Sequence, residues 1–333
     1  MRKHVWFFDL LRCIAAFAVV AIHVLGPYRE LLGTIPFSDW VTAVLVNGAS
    51  RWAVPVFIMI TGALMLSDTR PFELHYYVKR RLGKVMLPFV VWSLFYAWLS
   101  GCSPTGFDGK AALDVLAGMP SHETYYHLGF FYYFLPLYLV IPLLRPVMQK
   151  ADRVSGYALV AVWLWLTGMY LMGWQGMWRD NLVMYSGYLV LGYVLWRWPP
   201  PAWLVVPVGG LSLLATEWAA ITTSLSLGEY SSAGWFSYKT LNTALIAAMV
   251  FYLAMRWGEG LPEQVRKGAS RVSRYSLGIY LLHPLFLWPV RAYDLYYGPA
   301  WLMILGWTLI AGGMAMGASA LLARYRYTAW LVP

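Results

Sequence analysis

Charge is scarce in this chain. Of 333 residues only 15 are acidic, and charged residues make up 12%, which leaves too little polar surface to cover a soluble globule of this size. Cysteine is scarcer still. Cys13 lies inside the first apolar run and Cys102 near a loop, so there is no disulfide framework and no metal-ligand spacing. No internal repeat at a fixed period, no low-complexity segment and no soluble domain can be read along the sequence. What fills it is apolar: 60% hydrophobic residues, a mean hydropathy of +0.56, and 19 Trp and 24 Tyr, which suit the aromatic belts of membrane interfaces and the packing of helices. These features predict an all-α integral membrane protein. The net charge of +10 does not point to nucleic acid, because the basic residues cluster at the ends of apolar spans, where membrane lipid and the positive-inside rule account for them.

The first apolar run, Val5 to Leu25, carries three ionisable residues, Asp9, Arg12 and His23. A charge buried in a bilayer costs at least a few kcal/mol and marks a functional site by default. Arg12 and His23 are eleven residues apart, about 20° from a whole number of turns, so they share one helix face about 16 Å apart. Ala15 and Ala16 lie between them, small enough to let another helix or a ligand chain come close. Asp9 and Arg12 also interrupt what would otherwise look like a signal-peptide core, and the segment is expected to be a retained helix.

Hydropathy and turn signals predict a bundle of about ten transmembrane helices, near 5–25, 40–66, 86–101, 126–144, 157–174, 182–198, 203–223, 240–257, 275–290 and 299–322. A cytoplasmic N-terminus places 18 of the 25 basic residues in cytoplasmic segments, Arg2 and Lys3 among them. It leaves only Arg29, Lys110, Arg179, Lys239 and Arg291 outside, with Arg12 and Arg51 within spans. Both termini are therefore expected in the cytoplasm.

Further candidates follow along the chain. Arg51 precedes Pro55 by one turn, where a kink can turn the cation into an interior pocket; the alternative is an arginine that snorkels outwards. In HYYVKRRLGKVMLP, Arg81 and Lys84 sit three apart and could share a helix face as phosphate ligands, although positive-inside topology explains such a cluster too. The connection from about Cys102 to Tyr125 is the longest extracytoplasmic loop and the expected acceptor-binding or lid segment. His127 and its neighbouring tyrosines look like an interfacial belt. Glu217 lies midway along the seventh span, as a site residue or as the structural partner of Arg12 or Arg51. Tyr280 and His283 lie on adjacent turns of the ninth, and Gly313 and Gly317 form a small-residue pair in the last.

In that order, FDLLRCIAAFAVVAIHV with Arg12 and His23, SRWAVPVFIMITGALML, KRRLGKVMLP and SLGIYLLHPLF resemble the acyltransferase 3 family of membrane-bound acyltransferases, over essentially the whole chain. Within the family the chain is most similar to the short stand-alone bacterial enzymes that O-acetylate surface glycans, of the enterobacterial common antigen type. The resemblance implies one membrane acyltransferase domain over 1–333 in the bacterial inner membrane. It also implies acetyl-CoA as donor, with no further cofactor and no metal, and a sugar hydroxyl of a surface glycan or lipid-linked saccharide as acceptor. His23 and Arg12 become the catalytic candidates, with Asp9, Arg51, Arg81, Lys84, Glu217, Tyr280 and His283 as substrate-binding ones. Imidazole can take a hydroxyl proton or carry the acyl group itself. Members commonly have two arginines where this chain has Arg81 and Lys84, which keeps a cation but removes one bidentate fork. A secondary transporter using Asp9, Arg12, Glu217 and His23 as a relay is the rival from another class, and a non-catalytic scaffold is a third.

Overall fold

A computed structural model describes residues 4–177 and 180–333; Arg2, Lys3 and Arg179 of the topology count lie outside the described residues. The long helices, in chain order, are α1 (Trp6–Val24), α2 (Phe37–Ser50), α3 (Ala53–Leu66) and α4 (Gly83–Ser100). After the short α5 (Gly109–Gly118) come α6 (Gly129–Lys150), α7 (Arg153–Leu171), α8 (Asn181–Arg197) and α9 (Ala202–Leu227). The chain closes with α10 (Leu241–Trp257), α11 (Glu263–Arg274), α12 (Ser276–Ala292) and α13 (Ala300–Arg324). Its strands are two-residue pieces, Cys102–Ser103 paired antiparallel with Gly106–Phe107.

Among the described residues, eight helical segments are long and apolar enough to cross a membrane, with α2 and α3 together counting as one. The other two expected spans, α8 and α12, are 17 residues each, about 25 Å and so at the short end of what crosses hydrocarbon. Most of their residues are buried among neighbouring helices.

Helix α1 is the hub: it packs against α2, α3, α10, α11, α12 and α13. Its Ala15 and Ala16 are fully buried, so the small residues between Arg12 and His23 do let other helices close in. The tightest crossing is between α3 and α8. There Gly62 lies against the Leu189 backbone and Gly192 against that of Met59, so a Cβ at either glycine would overlap a carbonyl of the facing helix. In α13 it is Gly312, seated on the Phe17 ring, that packs. Gly313 and Gly317 face open space, so the expected small-residue pair is off the interface by one residue.

The second span is broken at Arg51 and Trp52 rather than merely kinked. Pro55 is the cause. It has no N–H to donate to the Arg51 carbonyl four residues back, and its ring would crowd that carbonyl. Val56 resumes the ladder by donating to Trp52 at 3.0 Å, and Pro55 sits in the first turn of α3, where a missing donor does little harm. At the other end of the bundle, Asp152 starts α7 by accepting from the Ser155 N–H at 2.8 Å. The same hydrogen bonding holds its carboxyl below the usual carboxylate range.

Candidate functional site

Three cavities are strung along α1, α6 and α12. The first, of ≈ 400 Å³, is walled by Asp68, Arg70, Glu73, Tyr77, Arg81 and Arg145 among others, with Arg70 paired to Asp68, so the arginines outnumber the acids by one. Arg81 points into it from a π-helical turn, Val78–Leu82, in which the Gly83 N–H donates to the Val78 carbonyl. That wider turn breaks the three-residue register expected of Arg81 and Lys84, and Lys84 is exposed and does not line the cavity. Arg145, which sequence reasoning passed over, takes the second place by donating to the Arg70 carbonyl.

One turn along α6 lies a second cavity of ≈ 200 Å³, with Arg12 on an otherwise mainly apolar wall that includes Phe57, Phe130, Phe134, Tyr138 and Tyr280. Tyr138 is the join: the Tyr77 hydroxyl donates to its carbonyl at 2.7 Å, and its own hydroxyl is within electrostatic reach of Arg81 and Arg12. Asp9 does not reach this space as a ligand group. It accepts from Ser273 at 2.8 Å, lies 2.7 Å from His4 Nε2 and 3.6 Å from Arg12 Nη1, and so ties the ends of α1 and α11 together.

The third cavity, of ≈ 650 Å³, is lined by His23, Arg51, Tyr126, Tyr238, Arg291 and Tyr296 among others. His23 Nδ1 is 2.7 Å from His283 Nε2 with the two rings coplanar to 1°. The tautomers follow from the far end. His283 Nδ1 is 3.0 Å from the Ile279 carbonyl, which only accepts, so this nitrogen carries the proton. His283 is fully buried and no carboxylate pairs with it among the described residues, so an imidazolium there would be a buried unpaired charge. In the neutral ring Nε2 accepts, His23 Nδ1 donates to it, and His23 Nε2 keeps its lone pair on the cavity side. His283 thus orients His23 from behind and is not among the residues that line these three cavities.

Tyr280, His127 and His283 separate the second cavity from the third. The Tyr280 hydroxyl donates to the His127 carbonyl, the Tyr280 and His127 rings are 5.6 Å apart, and those of His127 and His283 also 5.6 Å. The face shared by Arg12 and His23 is therefore not one open channel: Arg12 lies on one side of this layer and His23 on the other. Among the described residues no three His, Cys, Asp or Glu side chains are arranged to hold a metal ion.

Glu217 is elsewhere. Its carboxyl group is buried against Gly48 and Ala49 of α2 and forms no ion pair with Arg12 or Arg51 among the described residues. Asp9, Arg12, Glu217 and His23 consequently do not assemble as a relay. The loop from Cys102 to Tyr125 folds onto α4 as a small hairpin and α5, and contributes nothing to the His23 cavity.

With this geometry the family comparison is decisive. A family model described as an acyltransferase domain matches residues 5–324. The chain belongs to the acyltransferase 3 family. Comparison with curated proteins and with solved structures returns no match. In this acyltransferase the matched stretch contains every helix that walls the three cavities.

Of the residues singled out in the sequence, the acyltransferase fold brings His23, Arg51 and His283 to one place and Arg12 with Tyr280 to the next, while Arg81 stands in the basic cavity. Sequence reasoning passed over Arg291 and His127. The positive-inside bias held a signal for the first. Five basic residues escape it, and two of them, Arg29 and Arg291, line the His23 cavity. For His127 there was no such signal, since a histidine among tyrosines at a helix start reads equally well as an interfacial belt.

Proposed function

We propose that this membrane acyltransferase moves an acetyl group from cytoplasmic acetyl-CoA to a sugar hydroxyl of an extracytoplasmic surface glycan or lipid-linked saccharide, in the bacterial inner membrane. The observation that carries the reading is the His23–His283 pair, which leaves one imidazole nitrogen free beside a cavity of ≈ 650 Å³. The basic cavity suits the phosphates of CoA: Arg81 and Arg145 supply forks. The narrow cavity beyond it suits the slender pantetheine arm, with Arg12 near the thioester. His23 Nε2 then takes the proton of the acceptor hydroxyl as oxygen bonds to the acetyl carbon, or first accepts the acetyl group and passes it on; in both cases the thiolate of CoA leaves. Either route requires the Tyr280 hydroxyl to leave the His127 carbonyl so that the arm can pass.

Purified protein given acetyl-CoA and a glycan acceptor is expected to release free thiol and yield an acetylated saccharide by mass spectrometry. A preparation that is folded and inert with every donor and acceptor would sink this reading. Arg81→Ala should raise the Michaelis constant for acetyl-CoA with little change in turnover, because it touches remote phosphates and not reacting atoms. Lys84→Ala, outside the cavity, should do less. The reverse ranking would move the CoA site off this wall.

Both termini belong in the cytoplasm on this reading, which puts the His23 cavity on the outer side. Cysteine introduced at Lys110 should react with an impermeant reagent applied from outside and cysteine at Lys150 should not. Labelling at Lys150 alone would invert the orientation.

A further inference from the structure

Three guanidinium groups line the His23 cavity, and their partners differ. Arg29 Nε is bonded to Glu30 at 2.9 Å and has its counterion. Arg51 donates to the Tyr238 hydroxyl at 3.2 Å and otherwise lies 5.6 Å and 5.5 Å from the ring centroids of Phe236 and Tyr238. Arg291 donates to the His23 carbonyl at 2.6 Å and lies 4.3 Å over the Tyr126 ring. Neither Arg51 nor Arg291 has a carboxylate within ion-pairing distance among the described residues. Each also holds a buried Nε–H without an acceptor. Arg12, also half-buried in a span, does have an acidic neighbour in Asp9. The cavity's own carboxylates, Glu30 and Asp294, are exposed at its rim, and Glu30 is engaged by Arg29.

Two half-buried cations facing one cavity repel each other and have lost part of their hydration. A neutral sugar would offer them single hydrogen bonds to hydroxyls. A carboxylate or phosphate would offer charge-assisted, paired ones in the geometry a guanidinium fork matches. The hydroxyl of Tyr126, buried there without a partner, remains for the sugar's own hydroxyls, and that of Tyr296 lies beside Arg291.

Resting on the acetyltransferase reading of this cavity, we infer that the acceptor is an anionic saccharide. Its carboxylate or phosphate group is held between Arg51 and Arg291, and this anchoring sets which hydroxyl faces His23 Nε2. The anion takes no part in the chemistry. It selects the acceptor and its register.

The test compares acceptors on the purified, full-length protein with acetyl-CoA in excess: a hexuronoside, its methyl ester, and a neutral sugar carried on polyprenyl pyrophosphate or on a neutral lipid. Wild-type protein should prefer the charged member of one pair. Arg51→Gln and Arg291→Gln should each reduce that preference by about 10- to 100-fold in kcat/KM ratio, the value of a hydrogen bond to a charged group. Arg51→Lys and Arg291→Lys should restore part of it. Preference for the hexuronoside places the anion on the sugar, and preference for the pyrophosphoryl lipid places it on the linkage. Equal turnover of charged and neutral acceptors by wild-type protein overturns the inference, even if the glutamine variants fail to fold. So does a loss in kcat that is the same for charged and neutral acceptors, since that would assign the arginines to the oxyanion of the transition state. Absence of thiol release with all four acceptors would instead count against the acetyltransferase reading.

Discussion

Replacing His23 with alanine is expected to lower acetyl transfer by about 10²–10⁴-fold, the usual worth of general acid–base assistance, with the protein still inserted and folded. His23 is only partly buried and its removal leaves most of α1 packing in place. Ile22→His combined with His23→Ala keeps an imidazole at nearly the same depth but rotates it about 100°. The new ring loses the bond to His283 Nε2 and should be as inactive as alanine. His283 refines the test. In His283→Ala, His23 Nδ1–H loses its acceptor and the tautomer is no longer fixed, so kcat should fall roughly three- to tenfold, the range of one ordinary hydrogen bond, with the KM for acetyl-CoA unchanged. His283→Gln should recover part of this, because its amide oxygen can stand near Nε2 and accept. Activity within a few-fold of wild type in His23→Ala would remove His23 from the mechanism. Full activity in His283→Ala would remove the orienting role alone.

The second large effect falls on stability. Gly62→Ala and Gly192→Ala each place a methyl group into the backbone of the facing helix, which cannot yield as a side-chain tip can. Overpacking of this kind typically costs about 1–3 kcal/mol. It outweighs the helix-propensity gain of at most about 1 kcal/mol that alanine brings over glycine. Both variants should melt well below wild type in detergent, and Gly62→Leu lower still. Gly313→Ala and Gly317→Ala, which meet open space, supply the comparison and should melt close to wild type. Equal melting in all four alanine variants would mean that α3 and α8 are not locked by that crossing.

The fold was legible where a physical constraint acts on composition or period. Lipid forces long apolar helices, so the spans and the centrality of α1 could be read from hydropathy and from three charges in one apolar run. Pro55 announced the break at Arg51 because a missing N–H has a fixed address four residues back. The site was legible in its parts and not in its assembly. Nothing local says that His283 ends up 2.7 Å from His23, 260 residues away, or that Asp9 faces Ser273 rather than the reacting groups. The Arg81–Lys84 register failed because a π-helical turn changes the angle per residue and leaves no mark in an apolar–basic pattern. The glycine pair failed for a simpler reason: small residues mark contacts only on the face that is buried, and α13 buries Gly312.

The layer of Tyr280, His127 and His283 has an electrical consequence. On the proposed orientation the cavities of Arg12 and His23 flank this layer, and the share of the transmembrane voltage that falls across it rises with the water those cavities hold. Each elementary charge moved through that drop is worth about 2.3 kcal/mol per 100 mV. A layer of phenol and neutral imidazoles carries no charge for the field to pull, and on the acetyltransferase reading a thioester on an uncharged arm would cross it without electrical work while the phosphates of its carrier stay behind. On the acetyltransferase reading, the arrangement would let an acyl group pass through a polarised membrane without moving charge.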